Sequence, residues 1–290
     1  MIELFLCLDE LWLRFLRQSD FPYEFDGITL QQIAIFFTFI LLFMKADILA
    51  FGAHPDDTEL GCSGTLLSLV EQGKTVVVAD LTRGEMGSRG TAEVRLEEAR
   101  HAAEIIGLTE RVNLGLPDTQ LENTREFQIP IIEIVRRFQP HICILPAPDD
   151  RHPDHGNATA LLIDAIFYSG LIKIETKGPT GEPQHPHRPA HVLHYMQDRP
   201  FEPDFIYDIT HTIDTKEKAI KAFATQFDVA DPGDEPETYI SDPSFFDSLR
   251  ARAKHYGHLT GFEYGEAFKY GASPFPVKNL DFLMDLSPKR

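Results

Sequence analysis

Residues 47–59 read DILAFGAHPDDTE, which is the pattern of a strand, a polar loop and the start of a helix. An apolar run leads directly into His54-Pro55-Asp56-Asp57, and a segment with helical periodicity follows. A short apolar strand that passes through a polar loop into a helix is the repeating βα unit of a parallel sheet. The same order recurs further along, where the apolar residues 142–145 lead to His152-Pro153-Asp154-His155. Two similar polar loops therefore follow two predicted strands.

Short apolar runs alternate with helical periods from residue 47 to residue 168. Strands are predicted at residues 47–52, 75–81, 112–114 and 142–145, and helices at residues 58–72, 92–106, 126–138 and 157–168. The pattern predicts an α/β fold with a Rossmann-like, mostly parallel sheet flanked by helices. In such sheets the loops at the carboxyl ends of the strands form the ligand crevice, so both His-Pro-Asp loops can share one site.

The last third of the chain begins with residues 177–189, which are rich in Pro and Gly and predict an irregular excursion. Strands are then predicted at residues 191–197 and 204–209, and helices at residues 215–226 and 243–256. Residues 261–276 carry aromatic residues and glycines without a clear period. We interpret this part as a smaller C-terminal α/β layer that completes the site within the same domain.

The first 43 residues differ from the rest, because residues 28–43 form an apolar run of nearly membrane-spanning length. The run contains two glutamines, and no Lys/Arg-rich segment precedes it, which disfavours a secretory signal. Met44 resembles an ordinary start immediately before the first strand. The favoured interpretation is that residues 1–43 are an upstream in-frame translation and that residues 44–290 are one domain; a signal anchor is the alternative.

Composition excludes several classes of function. A net charge of −18 disfavours nonspecific binding to nucleic acid or to an anionic membrane surface. The three cysteines, Cys7, Cys62 and Cys143, show no C-x-x-C spacing, so neither a disulfide framework nor a thiolate zinc site is indicated. These features predict a cytoplasmic protein that binds neither nucleic acid nor, through this domain, a membrane.

The two His-Pro-Asp loops contain the donors of a hydrolytic metal centre. Zinc binds imidazole and carboxylate ligands where thiolates are absent, and a catalytic site leaves one position for water. His54, Asp57 and His155 supply such a set, which would also accept Fe²⁺, Mn²⁺ or Co²⁺. Residues 56–59 alone would suit an ordinary helix start, where short polar and acidic side chains cap free amides. That interpretation leaves His54 and the second loop unexplained.

Two groups remain for acid–base work in this hypothetical centre. Asp56 is the candidate general base for a metal-activated water, and His152 is the candidate that stabilises the oxyanion. Asp154 could orient one of the histidines by a hydrogen bond. The loop after the second predicted strand adds three glycines and cationic side chains, and its alternative interpretation is a flexible turn with solvated arginines. The candidate substrate-binding residues are Arg83, Glu85, Arg89, Arg95 and Arg151, which predict a cationic crevice for an anionic substrate.

Residues 53–57 (AHPDD) together with residues 151–155 (RHPDH) resemble the LmbE-like, or PIG-L, de-N-acetylase family. The resemblance extends from about residue 44 to about residue 275 and includes DLTRGE (80–85), NLGLPD (113–118) and GFEYGEAF (261–268). Within the family these segments look most like the bacillithiol biosynthesis deacetylase. Mycothiol-type relatives place a Tyr just before the second motif, where this chain has Asp150-Arg151.

This resemblance implies a Rossmann-like zinc enzyme that removes acetyl groups from N-acetylglucosamine conjugates. It implies the same metal ligands and catalytic groups that were proposed above from the residue types. It also implies N-acetylglucosaminyl malate as substrate and a homo-oligomeric assembly. Alternatives within the enzyme class are another N-acetylglucosamine conjugate, such as a chito-oligosaccharide, an inositol conjugate or a bacillithiol S-conjugate. A noncatalytic sugar-binding module is the alternative from a different class, and the presence of both Asp56 and His152 disfavours it.

Overall fold

The computed structural model describes residues 24–25, 28–29, 45–227, 236–272 and 274–284. The chain divides into two compact units, Met1–Met44 and Lys45–Arg290. In the first, strands β1 (Glu24–Phe25) and β2 (Ile28–Thr29) pair antiparallel. Residues 1–23, 26–27 and 30–44, which include most of the predicted extension 1–43, lie outside the described part, so the start at Met44 stays a prediction. None of the described helices has the length and apolar character needed to span a bilayer.

In the second unit, the described residues contribute seven strands to one sheet. Its order is β5-β4-β3-β6-β7-β9-β8. The strands are β3 (Ile48–Gly52), β4 (Val76–Thr82), β5 (Glu110–Leu116), β6 (Ile142–Leu145), β7 (His191–Tyr195), β8 (Phe205–Asp208) and β9 (Gly265–Tyr270). The neighbours from β5 to β7 are parallel, and β9 runs antiparallel to both β7 and β8.

Helices cover this sheet and bury its central strands. They are α1 (Asp57–Glu71), α2 (Ala92–Ile106), α3 (Arg125–Phe138), α4 (Pro153–Ser169), α5 (Ile213–Lys221), α6 (Pro243–Thr260) and the short α7 (Asp281–Met284). Strands β3 and β4 are buried along their whole length, as expected for parallel strands covered on both faces. The predicted α/β fold with a mostly parallel, helix-flanked sheet is confirmed.

The C-terminal part departs from the predicted arrangement in one strand. Residues 261–276 show no clear period and no strand was predicted there, yet β9 forms within them and lies between β7 and β8. The last third therefore extends the main sheet as its antiparallel edge. β9 was not predicted because it contains a charged residue, Glu266, where a buried strand is expected to be apolar. Glu266 is buried nevertheless, and its carboxylate binds Lys216 Nζ at 2.5 Å.

The topology brings the two His-Pro-Asp loops together. β3 and β6 are adjacent and parallel, with Ile48, Leu49 and Ala50 opposite Ile142, Cys143 and Ile144. Their carboxyl ends therefore reach the same edge of the sheet, and α1 and α4 begin immediately after the two loops. Both loops therefore lie at one edge of the sheet, as the predicted parallel arrangement allows.

Candidate metal centre

The loop between β3 and α1 is a tight turn built around His54 and Asp57. The backbone N–H of His54 donates to Asp57 Oδ2 at 2.8 Å, and the Asp57 N–H faces the His54 carbonyl oxygen at 3.4 Å. Gly52 permits this turn, because a Cβ there would lie 2.8 Å from the same carbonyl oxygen. The turn places the Asp57 carboxylate beside its own loop's imidazole.

The three predicted metal ligands converge. His54 Nδ1 lies 3.5 Å from Asp57 Oδ2, and His155 Nε2 lies 3.1 Å from Asp57 Oδ1. All three side chains are buried, and the two imidazole rings are 5.7 Å apart between centroids. Two ring nitrogens therefore face one carboxylate, one from the loop after β3 and the other from the first turn of α4.

The other nitrogen of each imidazole is bound by a further carboxylate. His54 Nε2 lies 3.0 Å from Asp118 Oδ1, and His155 Nδ1 lies 2.6 Å from Asp150 Oδ2. Histidines that ligate metals usually donate their second N–H to a carboxylate in this way, which fixes the tautomer. His54 Nδ1 and His155 Nε2 are thereby left to act as ligands on the side of Asp57.

The electrostatics of the centre also favour a cation. Burial alone would lower the pKa of His155, but Asp57 and Asp150 raise it to about 9. Burial would also lower the pKa of His54, but Asp118, Asp154 and Asp57 together raise it well above the usual value. The carboxylates thus hold protons on both imidazoles, and a divalent ion can replace those protons. The residues fit a metal by donor type, by orientation and by charge.

Other donors lie close to this set. Nitrogen atoms of His54, His152 and His155 come within 4.8 Å of one another, as do donor atoms of His54, Asp118 and Asp154. Asp118 and Asp154 already accept backbone N–H groups, from Met86 at 2.9 Å and from Thr119 at 2.8 Å. Asp57 is engaged in the same way, because it accepts the His54 N–H at 2.8 Å and Gln197 Nε2 at 2.6 Å. Asp57 differs from the other two in facing both His54 and His155.

Asp56 adopts an uncommon backbone conformation next to the centre. Its φ of 115° is rare for a residue with a side chain, and the surrounding hydrogen bonds must hold it there. Asp56 Oδ2 accepts from Arg95 Nη2 at 2.9 Å, and the same guanidinium group donates to the carbonyl oxygens of Pro55 and Gly84. Burial raises the pKa of Asp56 to about 7 although Arg95 lowers it. Such a carboxylate can exchange a proton near neutral pH.

His152 occupies the N-cap of α4, and its ring faces the predicted ligands. Nδ1 accepts from the Asp154 N–H at 3.2 Å, and the ring centroid lies 4.8 Å from that of His54 and 5.3 Å from that of His155. Burial lowers the pKa of His152, and the neighbouring imidazoles lower it further. Asp154 lies 3.4 Å from His54 Nε2. The structure thus brings both predicted catalytic side chains and Asp154 to the centre.

The five predicted substrate-binding residues separate in space. Arg83 is exposed, Glu85 accepts from the Asp118 N–H at 2.9 Å, and Arg95 is buried against Asp56. Arg89 is buried and donates to the carbonyl oxygens of Thr225 and Pro236. Arg151 alone among the five lines the cleft in front of His152 and His155.

Sequence reasoning missed several residues of the site, among them Asp118, Asp150 and Arg252. Asp118 lies just beyond β5 and Asp150 lies in the loop after β6, so a search for carboxylates after parallel strands would have found both. Arg252 comes from α6 and carried no such signal. The cleft is lined by Leu60, Arg151, His152, His155, Gln197, Asp198, Tyr239, Ile240, Phe245, Leu249 and Arg252.

The fold and the site define a class, an α/β protein with a candidate metal centre of two histidines and one carboxylate at the carboxyl edge of its parallel sheet. Comparison with known proteins gives the family. The family model "PIG-L: GlcNAc-PI de-N-acetylase" matches residues 49–166. The chain is 31% identical over 233 residues to diacetylchitobiose deacetylase of Thermococcus kodakarensis, covering 77% of this chain and 82% of that protein.

Two further similarities agree with this match. The chain is 29% identical over 200 residues to "Probable N-acetyl-alpha-D-glucosaminyl L-malate deacetylase 2" of Bacillus cereus, covering 63% of this chain and 84% of that protein. The crystal structure of the conserved protein TT1542 from Thermus thermophilus superposes with a TM-score of 0.70 at 36% identity, covering 81% and 97% of the two chains. The chain belongs to the PIG-L de-N-acetylase family and is a deacetylase, as the two motifs predicted.

Proposed function

We propose that this deacetylase uses a zinc ion, held by His54, Asp57 and His155, to remove the acetyl group from N-acetylglucosaminyl malate. The observation that carries the metal assignment is the pair of carboxylate–histidine contacts, Asp118 to His54 and Asp150 to His155. They direct one nitrogen of each ring towards Asp57. Fe²⁺, Mn²⁺ and Co²⁺ suit the same donors and are alternative ions in this proposal.

The chemistry is amide hydrolysis. A divalent ion at this place would lower the pKa of a water molecule and polarise the acetyl carbonyl group. Asp56 accepts a proton from the water as its oxygen bonds to the carbonyl carbon, and later delivers that proton to the departing sugar nitrogen. His152 accepts from the Asp154 N–H through Nδ1, which leaves Nε2–H to donate to the developing oxyanion. The C–N bond breaks, and acetate and a free amine result.

Two observations support a malate conjugate as the substrate. The cleft beside His152 contains two arginine side chains, Arg151 and Arg252, although the chain as a whole is strongly acidic. Cationic side chains bind carboxylates through charge-assisted hydrogen bonds, and malate carries two carboxylates. The Bacillus cereus relative is named as a probable deacetylase of the same conjugate.

Deacetylation of N,N'-diacetylchitobiose is the second candidate function. The Thermococcus kodakarensis relative is named for this activity, and its match covers more of this chain than the Bacillus cereus match does. That disaccharide is neutral, so it would not require arginine in the cleft. For either substrate we propose a cytoplasmic homo-oligomer acting on a small molecule, on the basis of the family resemblance and the composition.

The test is acetate release by the full chain from both substrates, before and after chelation and with zinc added back. The proposal requires metal-dependent turnover with a higher kcat/KM for the malate conjugate. Asp56→Asn should lower kcat by about 10²- to 10⁴-fold. Asp149→Asn is the matched control, because Asp149 is an exposed carboxylate on the same edge that pairs with Arg199. Full turnover after complete metal removal would contradict the mechanism, and preference for the neutral disaccharide would contradict the substrate.

A further inference from the structure

The two arginines of the cleft differ in how their charges are balanced. Arg151 Nε lies 2.8 Å from Asp198 Oδ2, and its guanidinium group lies 4.3 Å from the centre of the Tyr239 ring. The Tyr239 hydroxyl also donates to Asp198 Oδ1, at 3.2 Å. Asp198 therefore neutralises Arg151 and holds it against the aromatic ring.

Among the described residues, no side chain pairs with Arg252 in this way. It is half-buried on α6 and lines both the cleft and the cavity behind it that Lys216 and Glu266 border. Within residues 45–227 and 236–284 as far as they are described, no hydrogen bond or ion pair of its guanidinium group is present. Burial lowers the pKa of Arg252. A guanidinium group carries five N–H donors, and at the cleft these donors are open to a ligand.

The acidic groups near Arg252 are occupied elsewhere. Those that act on its charge are Asp198, Asp150 and Glu266. Asp198 binds Arg151 and Tyr239, as described above. Asp150 accepts from His155 and from the backbone N–H groups of Asp198 and Arg199.

Glu266, the third of these acids, is also fully engaged. Its carboxylate accepts from Lys216 Nζ at 2.5 Å, from the Gly64 N–H at 2.9 Å, and from both the N–H and the hydroxyl group of Thr65. Among the described residues, the cleft thus contains two arginine charges, Arg151 and Arg252, and one carboxylate, Asp198, which is paired with Arg151. Within that part of the chain, the charge of Arg252 is left without a paired carboxylate.

We propose that Arg252 binds a carboxylate of the substrate and makes this enzyme selective for acidic N-acetylglucosamine conjugates. The inference rests on the proposed function and deepens it, because it assigns selectivity to one side chain. It also ranks the cleft arginines. Arg252 can accept an anion without losing a protein contact, whereas Arg151 must first part from Asp198. Selectivity should therefore depend more on Arg252 than on Arg151.

The test compares Arg252→Gln, Arg252→Lys and Arg151→Gln with the control Arg250→Gln. Arg250 lies on the same helix but pairs with Asp214 and Glu217 outside the cleft. Selectivity is measured as the ratio of kcat/KM for N-acetylglucosaminyl malate to that for methyl N-acetylglucosaminide, which has the same sugar and no charge. Loss of a hydrogen-bonded charge pair should reduce this ratio about 10- to 100-fold in Arg252→Gln. Arg252→Lys should retain part of it, and Arg250→Gln should match the wild type.

The expected change is a rise in KM for the malate conjugate, with kcat and the turnover of the neutral sugar nearly unchanged. An equal loss on both substrates would show a structural role and overturn the inference, as would an unchanged ratio. A larger effect in Arg151→Gln than in Arg252→Gln would also overturn it.

A second measurement separates this inference from the proposed function. Disodium malate is titrated into the zinc-loaded protein at constant ionic strength, and Tm is followed. Malate should raise the Tm of the wild type and of Arg250→Gln but not that of Arg252→Gln. This result would support the anion site even if neither sugar is turned over, in which case only the proposed function fails. No rise in the wild type would overturn the inference, whatever the enzyme hydrolyses.

Discussion

Asp150→Asn should weaken metal binding without unfolding the protein. Asp150 Oδ2 lies 2.6 Å from His155 Nδ1, and Oδ1 accepts from the backbone N–H groups of Arg199 at 2.7 Å and Asp198 at 3.2 Å. Both carboxylate oxygens thus act as acceptors. Asparagine has the same shape but only one acceptor, because its other terminal atom is an NH₂ donor.

The isosteric change therefore creates a mismatch in either orientation of the amide. If the NH₂ group faces His155, the ring loses its acceptor and moves its proton to Nε2, the atom that should bind the metal. If the NH₂ group faces the backbone, two N–H groups lose their acceptor instead. Loss of such a contact to a metal-binding histidine typically weakens metal affinity by about 10- to 100-fold, or about 1.4–2.7 kcal/mol.

The assay is competition for zinc with a chelator of known affinity at neutral pH, with circular dichroism to confirm that the variant is folded. The control is Asp149→Asn, since Asp149 is the preceding residue, is largely exposed and pairs only with Arg199 among the described residues. The control should bind zinc like the wild type. A folded Asp150→Asn protein with wild-type zinc affinity would refute the assignment of His155 Nε2 as a ligand oriented by Asp150.

Two further predictions concern the support of the site. Arg95→Gln removes a charge that lowers the pKa of Asp56, so the acidic limb of the kcat/KM profile should move to higher pH; an unmoved limb would contradict Asp56 as the base. Glu266→Gln leaves Lys216 buried without its partner and should reduce the free energy of unfolding in urea by about 3–5 kcal/mol. Glu263→Gln, which breaks an exposed pair, should cost about 1 kcal/mol or less, and equal losses in the two variants would refute the argument.

The parts of the fold that the sequence predicted are those where local pattern and burial agree. β3 and β6 are continuous apolar runs, and β4 begins with one at residues 76–79. α2 extends over residues 92–106, as predicted, between Thr91 as N-cap and Gly107 as C-cap. β5 is an edge strand with half-exposed side chains, so only three of its seven residues stood out. β9 was not predicted because its buried Glu266 is neutralised by Lys216, which lies 50 positions away in the sequence.

In the candidate site, too, some residues could be predicted from the sequence and others could not. The donors in the two His-Pro-Asp loops could be predicted because each loop directly follows a strand, and the strand order then determines where the loop lies. The direction in which a long arginine side chain extends does not follow from the strand order. Arg95 turns inward to Asp56, while Arg252 points into the cleft from a helix whose neighbouring charges, Arg250 and Lys254, pair at the surface.

The charge of the centre follows from this convergence of strand ends. Asp57 begins α1, Asp118 follows β5, and Asp150 and Asp154 lie on the two sides of His152, so carboxylates from three loops surround His54 and His155. The raised pKa values of both imidazoles show that the acids draw protons to the site. A divalent ion must displace those protons in order to bind. Metal affinity should therefore fall as the pH decreases, with protons released on binding. In the proposed centre, the carboxylates that orient the histidines would thus also make metal occupancy dependent on pH.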